Sequence, residues 1–415
     1  MPIRGSINLP GDKSISHRAL ILSALTEGEC IIHNLSTGQD VESTRNCLSS
    51  CGIKSRKENR VMYVSGSKLQ NPSSPLDCGN SGTTARLISG LLSGQGMAAQ
   101  FMGDASLSVR PMGRIILPLT EMGAEISSAD GKLPLSISSR LLNGIEYTLP
   151  VASAQVKSSI IFAALGATGK TKIIEPVKTR DHSEIMLKSL GAEISVMKNK
   201  ILVSPLKDKL NSFELTVPGD PSSAAFFAAA AAMIPNSDLT IRNISANPTR
   251  IGFFHALEKM GGGVIWKNIH KECGELVGDV QIYYEPLHGI SISEDMIPSL
   301  IDELPIIAVL ATTTEGPTIV EGAEELRVKE TDRIHAICKN LLAMGVDVIE
   351  KKDGFIIDAP NILKTASIQS FGDHRIAMAF TIAGLNAGSY NKIDDMDCVN
   401  ISFPEFSETL KSIVK

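Results

Sequence analysis

Two phrases of apolar and polar residues recur along the chain. In the first, an apolar helical run meets a glycine and passes directly into a β-like triplet: Cys51-Gly52-Ile53, Met122-Gly123-Ala124-Glu125-Ile126, Leu190-Gly191-Ala192-Glu193-Ile194, Met260-Gly261 through Ile265, and Met344-Gly345 through Ile349. The lead glycines are 71, 68, 70 and 84 residues apart. A glycine just past the last apolar position takes the left-handed conformation that closes a helix, so each phrase predicts helix, cap and strand. The second phrase has six copies, each a small or polar opening, an apolar Ala-rich helix, a turn and an Ile/Val strand. These helices are predicted to begin near Ser14, Ser81, Ser153, Ser222, Asp302 and His374, with turns near Gly28, Gly94, Gly169, Asn236, Gly316 and Gly388. Strands are expected at Cys30-Ile31-Ile32, Thr171 to Ile174, Leu239-Thr240-Ile241 and Thr318-Ile319-Val320. The run Ala224 to Ala232, with Phe226 and Phe227, is apolar on every side, which predicts a buried helix rather than an amphipathic one.

Six units of about 70 residues, each with two helices and several strands, predict an α/β (α+β) fold built on a repeated βαβ-type module, not a doubly wound sheet. The one boundary signal is Val217-Pro218-Gly219-Asp220-Pro221, which opens the fourth unit and leaves three units on either side, in two similar lobes. The chain of 415 residues is long enough for such a division. At 43% hydrophobic residues it is not a disordered chain, and no uncharged apolar run is long enough to span a bilayer. A net charge of −5 gives no support for nucleic-acid binding. Seven cysteines with no Cys-x-x-Cys pair or zinc spacing predict reduced thiols and no metal, and the first residues carry no leader pattern, so a cytoplasmic location is expected.

The openings of the six buried helices hold most of the reactive residues. They include Asp12-Lys13-Ser14 with His17-Arg18, Gly79 to Arg86, Ser153 to Lys157, Asp220-Pro221-Ser222, Asp302-Glu303 and Asp373-His374-Arg375. Helix N-termini present unpaired N–H groups and a positive dipole end, suited to phosphate and carboxylate. Asp220 and Ser222 are adequately explained as caps. Lys13, Arg18 and Arg375 oppose the dipole, so an anionic ligand is expected beside them. Arg110-Pro111 reads as an extended loop. Arg327 to Arg333 packs five charges into seven residues, either a solvated charged turn or an anion site, with Lys329 and Arg333 at a repulsive i,i+4 spacing. Gly166-Ala167-Thr168-Gly169-Lys170-Thr171 fails as a phosphate loop because Ala164 stands at the first glycine position.

Five of these segments, Leu9 to Arg18, Gly79 to Thr84, Arg110 to Gly113, Arg327 to Arg333 and Gly372 to Arg375, occur in the order and at the spacing of one family, and the chain resembles EPSP synthases over essentially its whole length. The resemblance implies two lobes of three βαβαββ units with helices inside (an inside-out α/β barrel with a six-fold pseudo-repeat), expected at 13–218 and at 1–12 plus 219–415, with the active site in the cleft between them. It implies transfer of the enolpyruvyl group of phosphoenolpyruvate to the 5-hydroxyl of shikimate 3-phosphate, by addition–elimination with domain closure near Gly11-Asp12 and Pro218-Gly219. It implies a monomer without metal, organic cofactor, nucleic acid or membrane. By similarity, Lys13, Ser14, Arg18, Ser153, Gln155, Arg180, Asp302 and Lys329 hold shikimate 3-phosphate. Lys13, Gly82, Arg110, Gln155, Arg333 and Arg375 grip phosphoenolpyruvate. Asp302 is the implied base, Glu330 the implied acid, and Lys13 a third catalytic group.

Two positions depart from the family pattern. Ala154 stands where a second serine is common, and Ile401 where many members carry a lysine. Either Lys157 or another cation compensates for Ile401, or phosphoenolpyruvate is held more weakly. The related transferase acting on UDP-N-acetylglucosamine carries a cysteine five residues before its Arg-Pro; Ala105 occupies that place here. A repeat scaffold without activity leaves the cations unexplained, and a nucleotide enzyme lacks its phosphate loop.

Overall fold

The computed structural model describes all 415 residues, which divide into two compact units. One comprises 11–217 with 271–275, and the other 1–10, 218–270 and 276–415. The crossings therefore fall at 10/11 and 217/218 rather than after residues 12 and 218. Local packing accounts for this: Val217 still donates its N–H to the His33 carbonyl (3.0 Å), whereas Gly219 bridges to Ile244 of the other unit's sheet. The short segment 271–275, the turn between two long strands, was not expected from the sequence to join the first unit.

Five of the six sheets follow one path, a parallel pair extended by two antiparallel strands. In the 11–217 unit, Leu76–Asp77 runs parallel to Ala99–Met102, which pairs antiparallel with Lys132–Ser138 and then Glu125–Ala129. Glu146–Thr148, Thr171–Ile174, Lys200–Val203 and Ile194–Met197 repeat the pattern. Thr26–His33 repeats it again, with Leu210–Asn211 and Glu214–Thr216 both parallel to it. In the other unit, Ser291–Ile292, Thr318–Val320, Gly354–Ile357 and Val348–Lys351 follow the same order. So do Arg4–Asn8, Asp238–Ser245, Glu275–Tyr283 and Gly263–Glu272. The sixth sheet has only its parallel pair, Ser367–Ile368 with Lys392–Ile393. The five phrase glycines all adopt positive φ, from +84° to +103°, as a left-handed cap requires. Gly94 does not; it is the last helical residue, and Gly96 makes the turn instead.

Inside each unit three helices pack on one another beneath the sheets. They are Lys13–Ser23, Gly82–Gly94 and Ala154–Ala164 in one, and Pro221–Met233, Leu304–Ala311 and His374–Asn386 in the other. Ala224 to Ala232 are wholly buried, which explains why that segment shows no polar face. Four phenylalanines, Phe226, Phe227, Phe403 and Phe406, fill the space the alanines leave, with ring centroids 5.6–6.1 Å apart. In the other core the closest approach is made through glycine. A Cβ on Gly90 would collide with the Ser159 carbonyl, and one on Gly94 would lie 2.6 Å from that of Ala163.

Two substitutions separate packing from propensity. Gly→Ala within a helix gains about 1 kcal/mol of intrinsic propensity. At Gly90 the backbone collision outweighs it, and Gly90→Ala is expected to destabilise the protein by about 1–3 kcal/mol net. At Gly113, also helical, a Cβ meets nothing within 4 Å, so Gly113→Ala is expected to be neutral or stabilising. Urea unfolding of the two variants beside the parent measures both.

Candidate active site

The 11–217 unit carries the first group of expected residues on the openings of its three inner helices. Asp12 caps the Lys13–Ser23 helix through the Ile15 N–H (2.8 Å), and Lys13 Nζ lies 2.9 Å from Asp40 Oδ2. Arg18, one turn further on, is buried. Its Nε donates to Ser183 Oγ (2.8 Å), Nη1 to the Ser14 carbonyl (2.8 Å) and Nη2 to Ser158 Oγ (2.7 Å). Burial, with Arg180 adding repulsion, pushes the Arg18 guanidinium down to about 10 against the pull of Glu184 and Asp12, so it stays charged at neutral pH. Ser153 caps the third helix, accepting from Val156 N–H at 3.4 Å, and Ala154 and Gln155 follow it at the helix start. Gly82 opens the second inner helix, whose Ser81 cap accepts from Thr84 N–H (3.1 Å). A Cβ on Gly82 would meet Arg86 Nη1 at 2.6 Å and Arg110 Nη1 at 3.6 Å, so two guanidiniums converge over this glycine.

The other unit carries a carboxylate cluster of its own. Arg333, only 1% exposed, is their hub. Its Nε donates to Asp373 Oδ2 (2.7 Å), Nη2 to Glu330 Oε2 (2.6 Å) and Nη1 to Asp302 Oδ1 (3.4 Å). Burial pulls the guanidinium's pKa down, but Asp373, Glu330 and Asp302 together hold it above the ordinary arginine value. Arg375 donates through Nη1 to the Asp302 carbonyl (3.1 Å), with Nη2 3.7 Å from Asp302 Oδ2. Asp373 also caps the His374–Asn386 helix, accepting from Arg375 N–H (2.9 Å). Lys329 ends the short 3₁₀ turn Glu324–Val328.

Several expectations change. Lys13 and Arg375 have carboxylate neighbours, Asp40 and Asp302, and Arg18 a ring of oxygen acceptors, so each cation has partners within the protein. Lys329 and Arg333 do not repel across a helical turn, since the helix begins only at Arg333. The charged run instead splits in two: Arg327 pairs outward with Asp332 (2.7 Å) and Glu350 (3.0 Å), and Arg333 pairs inward with Glu330. Lys157 does not replace the cation missing at Ile401. It is fully buried between Glu175 (2.9 Å) and Glu184 (2.8 Å), its charge already matched. Ile401 itself packs against the apolar core of its own unit. Asp40, Asp373 and Arg86 were not assigned from sequence. The last two lie inside the quoted helix openings, and only their partners distinguish them from caps and surface charges.

A family model described as EPSP synthase (3-phosphoshikimate 1-carboxyvinyltransferase) matches residues 1–410. The chain belongs to the EPSP synthase family. It is 46% identical to the 3-phosphoshikimate 1-carboxyvinyltransferase of Persephonella marina, over 99% of this chain and 97% of that one. It is 47% identical to that of Syntrophomonas wolfei, again over 99% and 97%. The solved EPSP synthase of Acinetobacter baumannii superposes with a TM-score of 0.89 at 39% identity, covering 99% of this chain and 96% of that one. The fold is thus the two-lobe inside-out α/β architecture of EPSP synthases. The reaction is that of the family, transfer of the enolpyruvyl group of phosphoenolpyruvate to shikimate 3-phosphate in aromatic biosynthesis. No helix is long and apolar enough to cross a membrane.

The 11–217 unit also carries a chain of buried polar groups that starts on the Lys13–Ser23 helix. His17 Nδ1 lies 2.7 Å from Thr44 Oγ1, Thr44 is 2.7 Å from Thr84 Oγ1, and Thr84 reaches Ser81 Oγ at 2.7 Å. Burial, reinforced by Lys13 and Arg18, holds His17 well below the usual histidine pKa, so the imidazole is neutral at pH 7. An unfolded histidine titrates near 6.5, so this contribution to stability is complete above that pH. It is lost as pH falls below it, at up to about 1.4 kcal/mol per pH unit, because the unfolded chain then binds the extra proton. Between pH 7.5 and 5.5 the urea midpoint of His17→Gln is therefore expected to fall less steeply than that of the parent.

Proposed function

We propose that Asp302 and Glu330 carry the proton transfers of this 3-phosphoshikimate 1-carboxyvinyltransferase. The observation behind the proposal is that both carboxylates hydrogen-bond one buried guanidinium, that of Arg333. Asp302 takes the proton of the 5-hydroxyl as its oxygen attacks C2 of phosphoenolpyruvate, and Glu330 delivers a proton to the C3 methylene. In the resulting adduct Glu330 takes a proton back from the C3 methyl group, the double bond re-forms, and phosphate leaves with the proton held by Asp302. Atoms and charges balance without an oxidant or metal. Paired carboxylates that act in turn as acid and base serve such a cycle, each worth about 10²–10⁴-fold in rate.

The cations set up the encounter. Both substrates are polyanions, and their mutual repulsion must be offset before oxygen can approach carbon. Lys13, Ser14, Arg18, Ser153, Gln155, Arg180 and Lys329 take shikimate 3-phosphate in this reading, and Asp302 its 5-hydroxyl. Lys13, Gly82, Arg110, Gln155, Arg333 and Arg375 take phosphoenolpyruvate, with Lys13 common to both and offsetting charge during the transfer. With Lys157 neutralised and Ile401 apolar, the phosphoenolpyruvate set rests on Arg110, Arg333 and Arg375 as its arginines. The enzyme works as a cytoplasmic monomer.

Phosphate release that requires both substrates tests the reading. Asp302→Asn and Glu330→Gln are each expected to lower kcat by about 10²–10⁴-fold, with phosphoenolpyruvate still bound. Phosphate release by either variant at the parental rate would remove that residue from the mechanism. Sedimentation should give a single species at the chain mass of 44.3 kDa.

A further inference from the structure

The amide of Gln155 and the loop at Arg110 share a neighbour that no role above uses. Arg86 Nη1 donates to Gln155 Oε1 (2.6 Å), and Nη2 donates to the Pro111 carbonyl (3.1 Å). Gln155 Nε2 in turn donates to Thr83 Oγ1 (2.9 Å). A guanidinium has five N–H donors and no acceptor, so the Gln155 side chain has one tenable orientation, with oxygen on Arg86 and nitrogen away from it. Without Arg86 the amide could turn over at little cost and present its oxygen, an acceptor that repels a phosphate or carboxylate. With Arg86 in place the amide presents N–H. The charge on Arg86 also polarises the amide and strengthens it as a donor.

The second contact acts on Arg110. Pro111 follows it directly, so fixing the Pro111 carbonyl fixes the backbone that carries Arg110. The Arg110 head is braced separately by Asn80 Oδ1 (2.8 Å), which is itself held by Asp104 (2.7 Å). Arg86 Nη1 also stands 2.6 Å from where a Gly82 Cβ would be. One side chain thus touches Gln155, holds the residue next to Arg110 and borders Gly82, three of the six groups assigned to phosphoenolpyruvate.

We infer that Arg86 is the positioning residue of the phosphoenolpyruvate subsite, acting through the donor orientation of Gln155 and the backbone of the Arg110 loop. The inference rests on the reading of Gln155 and Arg110 as ligands of that substrate. Of the two features that Arg86 holds, the Arg110 loop serves phosphoenolpyruvate alone in that reading and Gln155 serves both substrates, so removing Arg86 should weigh more heavily on phosphoenolpyruvate.

The test is a double-mutant cycle between Arg86→Met and Gln155→Leu, with steady-state constants for both substrates. Arg86→Met is expected to raise the KM for phosphoenolpyruvate about tenfold or more while that for shikimate 3-phosphate moves less than about threefold. In the Gln155→Leu background most of that rise should vanish, since the group being oriented is gone. Arg86→Lys, which keeps the charge but not the two-pronged geometry, should recover part of the loss and serves if the Met variant does not fold. Additive effects, or equal rises in both KM values, overturn the positioning role. If Gln155→Leu and Arg110→Ala each leave the phosphoenolpyruvate KM unchanged, the ligand reading itself falls.

Discussion

Burying a charge is the expensive act in this protein, and much of the site geometry follows from how that cost is met. An arginine head with 1% exposure is tolerable only where carboxylates surround it, and Arg333 has three. Because Asp302 and Glu330 are among them, the groups that stabilise the buried cation are, in the mechanism we propose, also the groups that move the protons. Lys157 shows the same rule without a catalytic use, being held by Glu175 and Glu184. Arg18 shows its neutral variant, in which serine hydroxyls and one carbonyl provide the acceptors.

This matching gives each of these charged side chains a defined place within its own unit. Lys13, Arg18, Arg333 and Arg375 each have a partner within their own unit. In the proposed function a substrate anion then replaces or shares an existing partner rather than filling an empty field. Such exchange favours geometry over bulk charge, consistent with preorganised electrostatics as the larger part of catalysis.

Repetition, secondary structure and the buried nature of the inner helices were legible in the chain. The glycine caps came at regular intervals, and a helix with no polar face has nowhere to go but inside. The family was legible too, because five short polar segments kept their order. What the sequence could not display was pairing. Nothing local to Lys157 distinguishes a free cation from one enclosed by Glu175 and Glu184, residues 18 and 27 positions away. The charged run from Arg327 to Arg333 looked like one feature and is two, since adjacent side chains there face different networks. Arg86 sat inside a quoted motif unremarked; its importance lies in Gln155, 69 positions further on.

The hairpin turn at 271–275 has a consequence for how the chain can be divided. Glu275, 1% exposed, accepts the buried His182 ring at 2.7 Å, so a residue late in the sequence completes the interior of the earlier unit. A fragment cut at the obvious borders, 11–217, would lack its own missing piece. It would leave the buried His182 ring without the Glu275 carboxylate that it meets here. The 11–217 unit is therefore completed only by a turn that the chain supplies after residue 270.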